Sequence, residues 1–486
     1  MRYSERRSEK KTKKKTMGAQ EIRFGTDGWR GIIAEQFTFE NLHRVALAAA
    51  TELVEVFEGA LIVVGYDRRF LSPEFAHLVA KAVQSLGVPV LLADRPAPTP
   101  AFSWAALQRG AHGALVITAS HNPPTYSGLK IKGAFGGSVS PEFTRRVEER
   151  LATGRLGAAD RSAPLNTFDP WEGYLDQLRT KVDIDALRAA EVEIFLDAMH
   201  GVGAGGLPAL LGPGRVNEIR AEHNPLFGGN APEPIARYLT PLFKAMRTYQ
   251  GERPPIGLVL DGDADRIAAV DAQGNYLSCQ VLIPLLVDHL ARRRGLSGKV
   301  VKTISGSDLI ARTARARGLV VEETAIGFKY IADIMLRERV LLGGEESGGI
   351  GYADHMPERD GLLCALYLLE IVAQTGRDLG ELYTEMQQEL GFVSHYDRRD
   401  LKLPDDAFKQ RLLAILEDQP PQVIANQAVA EHTAIDGHKF RLADGRWLLI
   451  RFSGTEPVLR LYCEAASPQA VTETLQWAEH WAAQKP

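Results

Sequence analysis

Three times along this chain a short apolar run empties into a loop of charged residues and glycine: 113–118 enters TASHNP, 256–260 enters DGDADR, and 340–342 enters GGEESGG. Runs this short, bounded by turn residues, read as buried strands. Between them the spacing is helical. Leu42, Val45, Ala46, Ala49, Leu53 and Val56 keep one face of a helix that starts at Thr38, and Ser72, Pro73 and Gly87 start and stop another. Further strands are expected at 60–64, 88–92, 193–196 and 299–304, with a helix at 282–293. Strands alternating with helices predict α/β units with a mostly parallel sheet covered on both faces. In open sheets of this kind ligands sit beyond the carboxyl ends of the strands, so three successive blocks each aim a loop at a binding position. No exact sequence repeat accompanies them; the repetition is architectural. A Pro-rich stretch at 403–421 separates these blocks from a smaller unit with strands at 447–452 and 458–463 and a closing helix at 468–482.

At 486 residues the chain exceeds the roughly 250 to 300 residues at which one core stops growing, so three or four domains are expected. A formal charge of −4 spread over so large a surface gives no footprint for nucleic acid or for a membrane surface. Cys279, Cys364 and Cys463 have no paired spacing, which argues against a disulfide framework or a zinc site and fits a reducing, cytoplasmic setting. No window reaches the roughly 18 apolar residues of a membrane span. Residues 1–16, MRYSERRSEKKTKKKT, lack the apolar core of a signal peptide and read as a solvated basic tail.

The loops carry distinct chemistry. Ser120 follows an apolar strand on a turn, where its hydroxyl opens toward a cleft as a nucleophile's would, and Lys130 and Lys132 return positive charge to a site able to receive phosphate. Adjacency alone does not make His121 the base of Ser120; geometry decides that. In DGDADR, Asp261, Asp263 and Asp265 alternate, so their carboxylates converge on one side of an extended turn. Two such charges about 4 Å apart repel by roughly 4 kcal/mol at an effective dielectric near 20, so the cluster calls for a hard cation such as magnesium. Changing Asp263 to Asn is then expected to relieve the metal-free protein. Arg266 adds a donor fork for phosphate.

Other readings of DGDADR are a calcium-binding EF-hand loop, a haloacid-dehalogenase phosphatase in which the first Asp is phosphorylated, and a plain acidic turn. The EF-hand fails, because Arg266 stands where glycine is needed and Ala272 where a bidentate glutamate is needed. Glu345 and Ser347 stand among glycines and offer acceptors and a donor to sugar hydroxyls. Arg451, Ser453, Thr455 and Arg460, with the Gly454 backbone, offer a cradle for a dianionic phosphate; the plain alternative is a salt-bridged surface loop.

These four loops in this order, together with FGTDGWRG near the start, closely resemble the α-D-phosphohexomutase family, over nearly the whole chain after Met17. The resemblance implies four domains around a cleft, three α/β domains with mixed sheets and a smaller α+β domain, here 17–165, 166–275, 276–388 and 389–486. It implies that Ser120 is a phosphoserine, that Asp261, Asp263 and Asp265 hold Mg2+ against its phosphoryl group with Ser120 completing the metal set, and that Arg30, His121 and Lys130 belong to the catalytic group, Lys130 as a proton-transfer candidate. Arg266 and Lys329 would meet substrate, Lys329 in a segment with Gly327 and Phe328 that reads the sugar's orientation. Glu345 and Ser347 would grip hydroxyls at carbons 3 and 4, and the loop from Arg451 to Arg460 would hold the phosphate that is not reacting.

The implied reaction moves a phosphoryl group between positions 1 and 6 of a hexose through a bisphosphate that turns around in the cleft, with glucose 1,6-bisphosphate as intermediate and activator. Some phosphomannomutases and phosphoglucosamine mutases end the sugar loop in histidine where this chain has Gly349; phosphoglucosamine mutases usually carry glycine at the position of Ala264 and often serine at Thr118. These differences favour glucose, with mannose discriminated by 327–329 or by pocket space left beside Gly349. A phosphomannomutase or dual-specificity enzyme, a hexose-bisphosphate synthase that releases the intermediate and a non-catalytic sugar-phosphate sensor fit the same residues. Monomer and dimer stay equally open.

Overall fold

The computed structural model describes residues 22–25, 27–157, 162–453 and 458–484. The basic tail 1–16 and two expected cradle residues, Gly454 and Thr455, lie outside the described residues. Four sheets follow one another along the chain. In the first, Leu165–Phe168, Val90–Ala93, Ile62–Tyr66 and Gly113–Ile117 run parallel, and Tyr126–Gly133 and Trp29–Ile32 complete it antiparallel. The second sets Val216–Ile219, Glu193–Asp197 and Pro255–Leu260 parallel, then Ile267–Val270 and Tyr276–Leu277 antiparallel. The third sets Val321–Thr324, Lys299–Thr303 and Val340–Gly344 parallel, then Ile350–Tyr352 and Met356–Arg359 antiparallel.

The sheets are therefore mixed, and they share a plan. In each, the last parallel strand turns back on itself as an antiparallel neighbour, and the link between the two is one of the three loops singled out by sequence: 118–125, 261–266 and 345–349. The loops are hairpin links at the carboxyl ends of central strands, where the flanking ladders fix both ends.

The fourth sheet is wholly antiparallel, in the order His395–Lys402, Val458–Ala465, Trp447–Phe452, His438–Leu442, Gln427–Thr433 and Val423–Ile424. Two expectations change here. The stretch 403–421 is no separator: between its bracketing prolines lies the helix Asp406–Asp418, capped by Asp405, whose carboxylate accepts from Phe408 N. Leu412 and Leu416 pack it into the core of the fourth sheet, which already begins at His395. The expected boundary at 165/166 falls inside Leu165–Phe168, which pairs with Val90–Ala93 of the first sheet.

Helix starts follow the capping chemistry. Thr38 accepts from Asn41 N ahead of Phe39–Val56, and Asp360 accepts from Leu363 N ahead of Gly361–Thr375. Asp360 also accepts from Tyr174 Oη at 2.8 Å and faces His355 Nε2 at 3.0 Å, while Trp104 stacks on His355, so the junction of the first three units is hydrogen-bonded as well as apolar. No helix among the described residues is long and apolar enough to cross a membrane.

Candidate active site

The hairpin loops meet in one cleft. A cavity of about 720 Å³ is lined by Arg30 and His121 from the first unit, Arg266 from the second, Lys329, Glu345 and Ser347 from the third, and Arg451, Ser453 and Arg460 from the fourth. Ser120 and the three aspartates are buried and do not line it themselves.

Ser120 has φ 51°, a left-handed conformation that disfavours side chains, and its neighbours hold it there. Thr118 Oγ1 accepts from Ser120 N at 2.9 Å. Arg69, fully buried, donates to the carbonyls of Ser120, Asn122, Pro123 and Tyr126 at 2.7 to 3.0 Å, and its Nε lies 3.2 Å from Asp67. Ser120 Oγ donates to Asp261 Oδ2 at 2.7 Å and lies 3.3 Å from His121 Nδ1. Burial, followed by Arg266, Arg30 and Lys130, pushes the His121 imidazole well below its ordinary range, so it is neutral at neutral pH.

Oxygen atoms of Asp261, Asp263 and Asp265 all lie within 4.8 Å of one another. Burial, with Asp263 and Asp265, raises Asp261 well above the usual carboxylate range, whereas Asp263 is lowered: there burial is outweighed by Lys130 Nζ at 2.8 Å and by Thr99 Oγ1 at 2.6 Å. Lys130 Nζ also meets Asp265 at 2.6 Å and Asp27 at 2.8 Å. Burial alone would lower this ammonium, but the three carboxylates raise it above its ordinary value. Lys130 is thus held among three carboxylates in the metal-free protein. The cluster still fits a hard divalent ion: Asp263 Oδ1 and Asp265 Oδ1 are buried with no hydrogen-bond partner, beside Asp261 and the Ser120 hydroxyl.

Arg266 N donates to Asp261 Oδ1 at 3.1 Å and its Nη1 reaches Ser347 O at 3.4 Å, joining the acidic loop to the sugar loop. Glu345 Oε1 accepts from Gly327 N at 3.0 Å. Arg30 Nη1 donates to Asn122 Oδ1 at 2.5 Å.

The comparisons with known proteins cover the whole architecture. Family models described as phosphoglucomutase/phosphomannomutase alpha/beta/alpha domains I, II and III match 21–157, 172–274 and 280–390, and that of the C-terminal domain matches 403–477. A phosphoglucomutase/phosphomannomutase of Thermococcus kodakarensis is 30% identical over 458 residues, 93% of this chain and 96% of the relative. The chain belongs to the α-D-phosphohexomutase family. As a phosphohexomutase it is an intramolecular phosphotransferase of carbohydrate metabolism. Its similarity extends to a phosphoglucosamine mutase of Carboxydothermus hydrogenoformans, 28% identical over 93% of this chain and 97% of the relative. A crystal structure of a candidate phosphomannomutase from Thermus thermophilus superposes with a TM-score of 0.83 at 35% identity, covering 95% of this phosphohexomutase and 99% of that chain.

Three sequence arguments for glucose read differently in this mutase. Ala264 has φ 57°, a left-handed position that glycine adopts without strain, so the backbone by itself accounts for a preference for glycine there. Thr118 acts through a hydroxyl that serine shares. The space beside Gly349 is filled: a Cβ there would lie 2.2 Å from Arg359 Cδ.

Asp27, Arg69, Thr99 and Arg359 were not singled out by sequence. Arg69 had a usable signal, since the strand Ile62–Tyr66 also runs straight into charge, at DRR.

Proposed function

We propose that the chain is a phosphoglucomutase that interconverts glucose 1-phosphate and glucose 6-phosphate through phospho-Ser120 and glucose 1,6-bisphosphate. The observation that carries this reading is the convergence of a Ser120 hydroxyl, hydrogen-bonded into a three-aspartate cluster, with a polar cavity lined by Glu345, Ser347 and the arginines of the fourth unit. Asp261, Asp263, Asp265 and the Ser120 oxygen would hold magnesium, which would supply charge neutralisation for the transferring phosphoryl group.

A sugar hydroxyl attacks the phosphorus of phospho-Ser120 in line, the bond to Oγ breaks, and the bisphosphate forms. Arg30 and Arg266, both on the cavity wall, offset the charge of the transferring group. After the bisphosphate turns around, Ser120 Oγ attacks its other phosphate, the bond from that phosphorus to the sugar oxygen breaks, and the proton lost by Ser120 ends on that oxygen. The Ser120 proton faces Asp261 and the neutral His121 Nδ1 at 3.3 Å, and His121 is the acceptor that is free of the metal set. Lys130 ties Asp27, Asp263 and Asp265 together across the first two units. Arg451, Ser453 and Arg460 hold the phosphate that is not reacting.

The preference for glucose rests on the family resemblance, and discrimination at carbon 2 is assigned to the segment 327–329, whose residues line the cavity. Relative kcat/KM for glucose 1-phosphate, mannose 1-phosphate and glucosamine 1-phosphate tests it. One hydrogen bond made to a single epimer gives a roughly twofold to tenfold preference for glucose over mannose. A mannose 1-phosphate value equal to or above that for glucose 1-phosphate overturns the substrate assignment and leaves the mutase chemistry standing.

A further inference from the structure

Gly349 closes the loop that begins at Glu345, and its φ lies outside the left-handed range, so the backbone does not require glycine there. A neighbour does. A Cβ at 349 would lie 2.2 Å from Cδ and 3.0 Å from Cγ of Arg359, contacts far inside van der Waals separation. Arg359 ends the strand Met356–Arg359, and its side chain is 4% exposed. It is surrounded by carboxylates from three units of the fold. Nη2 lies 2.7 Å from Asp265 Oδ2 and also donates to Asp27 Oδ2; Nη1 lies 3.7 Å from Glu345 Oε2, and Nε 3.5 Å from Glu358 Oε1. Glu345 is thereby held on one side by a hydrogen bond from Gly327 N to Oε1 and on the other by ion pairing of Oε2 with the Arg359 guanidinium, and it lines the cavity. A guanidinium presents donors in fixed directions from one plane, which a lysine ammonium cannot copy.

We propose that Arg359 is a positioning residue for the transfer, fixing Glu345 of the sugar loop relative to Asp265 of the acidic loop, and that position 349 is kept free of a side chain to admit it. The inference rests on the reading of Glu345 as a sugar ligand, and it deepens that reading. It differs from a plain counter-ion role: any cation at 359 would neutralise the same carboxylates, but only the fork reaches Asp265 and Glu345 together.

Two measurements test it, on Gly349→Ala, Arg359→Ala, the double variant and Arg359→Lys, each first checked for a cooperative melt. In the first, kcat/KM on glucose 1-phosphate closes a double-mutant cycle. Gly349→Ala is expected to cost roughly 10- to 100-fold in the parent enzyme and less than about twofold in the Arg359→Ala background, where the clash is gone. An equal cost in both backgrounds overturns the proposal. In the second, 3-deoxy- and 4-deoxyglucose 1-phosphate report on Glu345. Loss of a hydroxyl bonded to a carboxylate costs the parent roughly 10- to 100-fold, and in Arg359→Lys, which keeps the charge and guards against misfolding, the penalty is expected to shrink below about threefold. A full deoxy penalty in Arg359→Lys, with overall activity lowered, makes Arg359 a counter-ion only and overturns the proposal. If neither analogue is penalised in the parent, the reading of Glu345 as a sugar ligand fails, and the cycle still decides whether 349 is bare on account of Arg359.

Discussion

Asp261→Asn and Asp263→Asn remove the same charge from the same cluster, yet they are expected to move the stability of the metal-free protein in different directions. Asp263 is stabilised as an anion, with Lys130 Nζ at 2.8 Å and Thr99 Oγ1 at 2.6 Å, and its carboxyl is held below the usual range. Breaking a buried pair costs about 3–5 kcal/mol when the partner is left alone; Lys130 keeps Asp27 and Asp265, so ~1–3 kcal/mol is expected. At roughly 2–4 °C per kcal/mol for a domain of ordinary size, Tm falls by several degrees. Asp261 is the opposite case, raised by burial and by Asp263 and Asp265. Its Oδ1 accepts from Asp265 N and Arg266 N at 3.1 Å each, bonds that asparagine keeps, so Asp261→Asn leaves Tm unchanged or higher.

The pH dependence has opposite signs as well. A lowered carboxyl contributes stability that is present above its unfolded pKa near 3.9 and is lost as pH falls through the folded value; a raised carboxyl costs stability as pH rises above about 3.9 toward the folded value. The part of the contrast that comes from Asp261 therefore grows as pH rises above about 3.9, while the part that comes from Asp263 persists down to that pH and is lost below it. Scanning calorimetry in excess chelator measures it. A higher Tm for Asp263→Asn at pH 7.5, or equal losses for both variants, refutes the assignment of Lys130 as the internal counter-charge. The sequence-based expectation that Asp263→Asn relieves the cluster left out a lysine that the fold brings within 2.8 Å, and the same measurement decides between the two.

Ser120→Ala should abolish mutase turnover in the presence of glucose 1,6-bisphosphate while leaving the melt intact, and peptide mapping of the parent should find phosphate on Ser120; an alkali-labile phosphate on Asp261 would favour the dehalogenase-type reading. Arg69→Met removes four hydrogen bonds to the Ser120 loop and leaves Asp67 without its buried counter-charge, so kcat should fall by roughly 100-fold or more and Tm by several degrees; near-normal kcat would mean that the loop holds itself. Ala264→Gly releases a left-handed alanine, and the ratio of glucose to mannose kcat/KM should stay within about twofold; a larger change would restore that position as a determinant of the sugar.

The strands that feed the reactive loops were legible because burial on both faces leaves them continuously apolar, as in Ile62–Tyr66 and Gly113–Ile117. Their antiparallel return strands were not. Tyr126–Gly133 hides its alternation, since Lys130 and Lys132 are as buried as Leu129 and Ile131 and are paired with carboxylates far away in sequence. Arg359 and Asp27 escaped for the same reason: a charged residue reads as surface until the fold supplies its partners. The helix Asp406–Asp418 was missed because prolines that bracket a helix look, in composition, like prolines that break one.

The hairpin form of the loops governs how this enzyme can vary. Val116 pairs with Lys130 and Ile117 with Leu129, so the link 118–125 is measured against a ladder on both sides. Deleting one residue leaves two outcomes: an overstretched turn at Ser120, or a slip that turns Lys130 and Lys132 to the face of Leu129 and Ile131 and brings two apolar side chains toward Asp263 and Asp265. Positions in these links whose side chains take no part in the site can drift, but the ladders on either side fix the length of each link. Insertions and affinity tags belong instead at exposed turns such as Gly154, a left-handed helix cap with no heavy atom within 4 Å of a built Cβ.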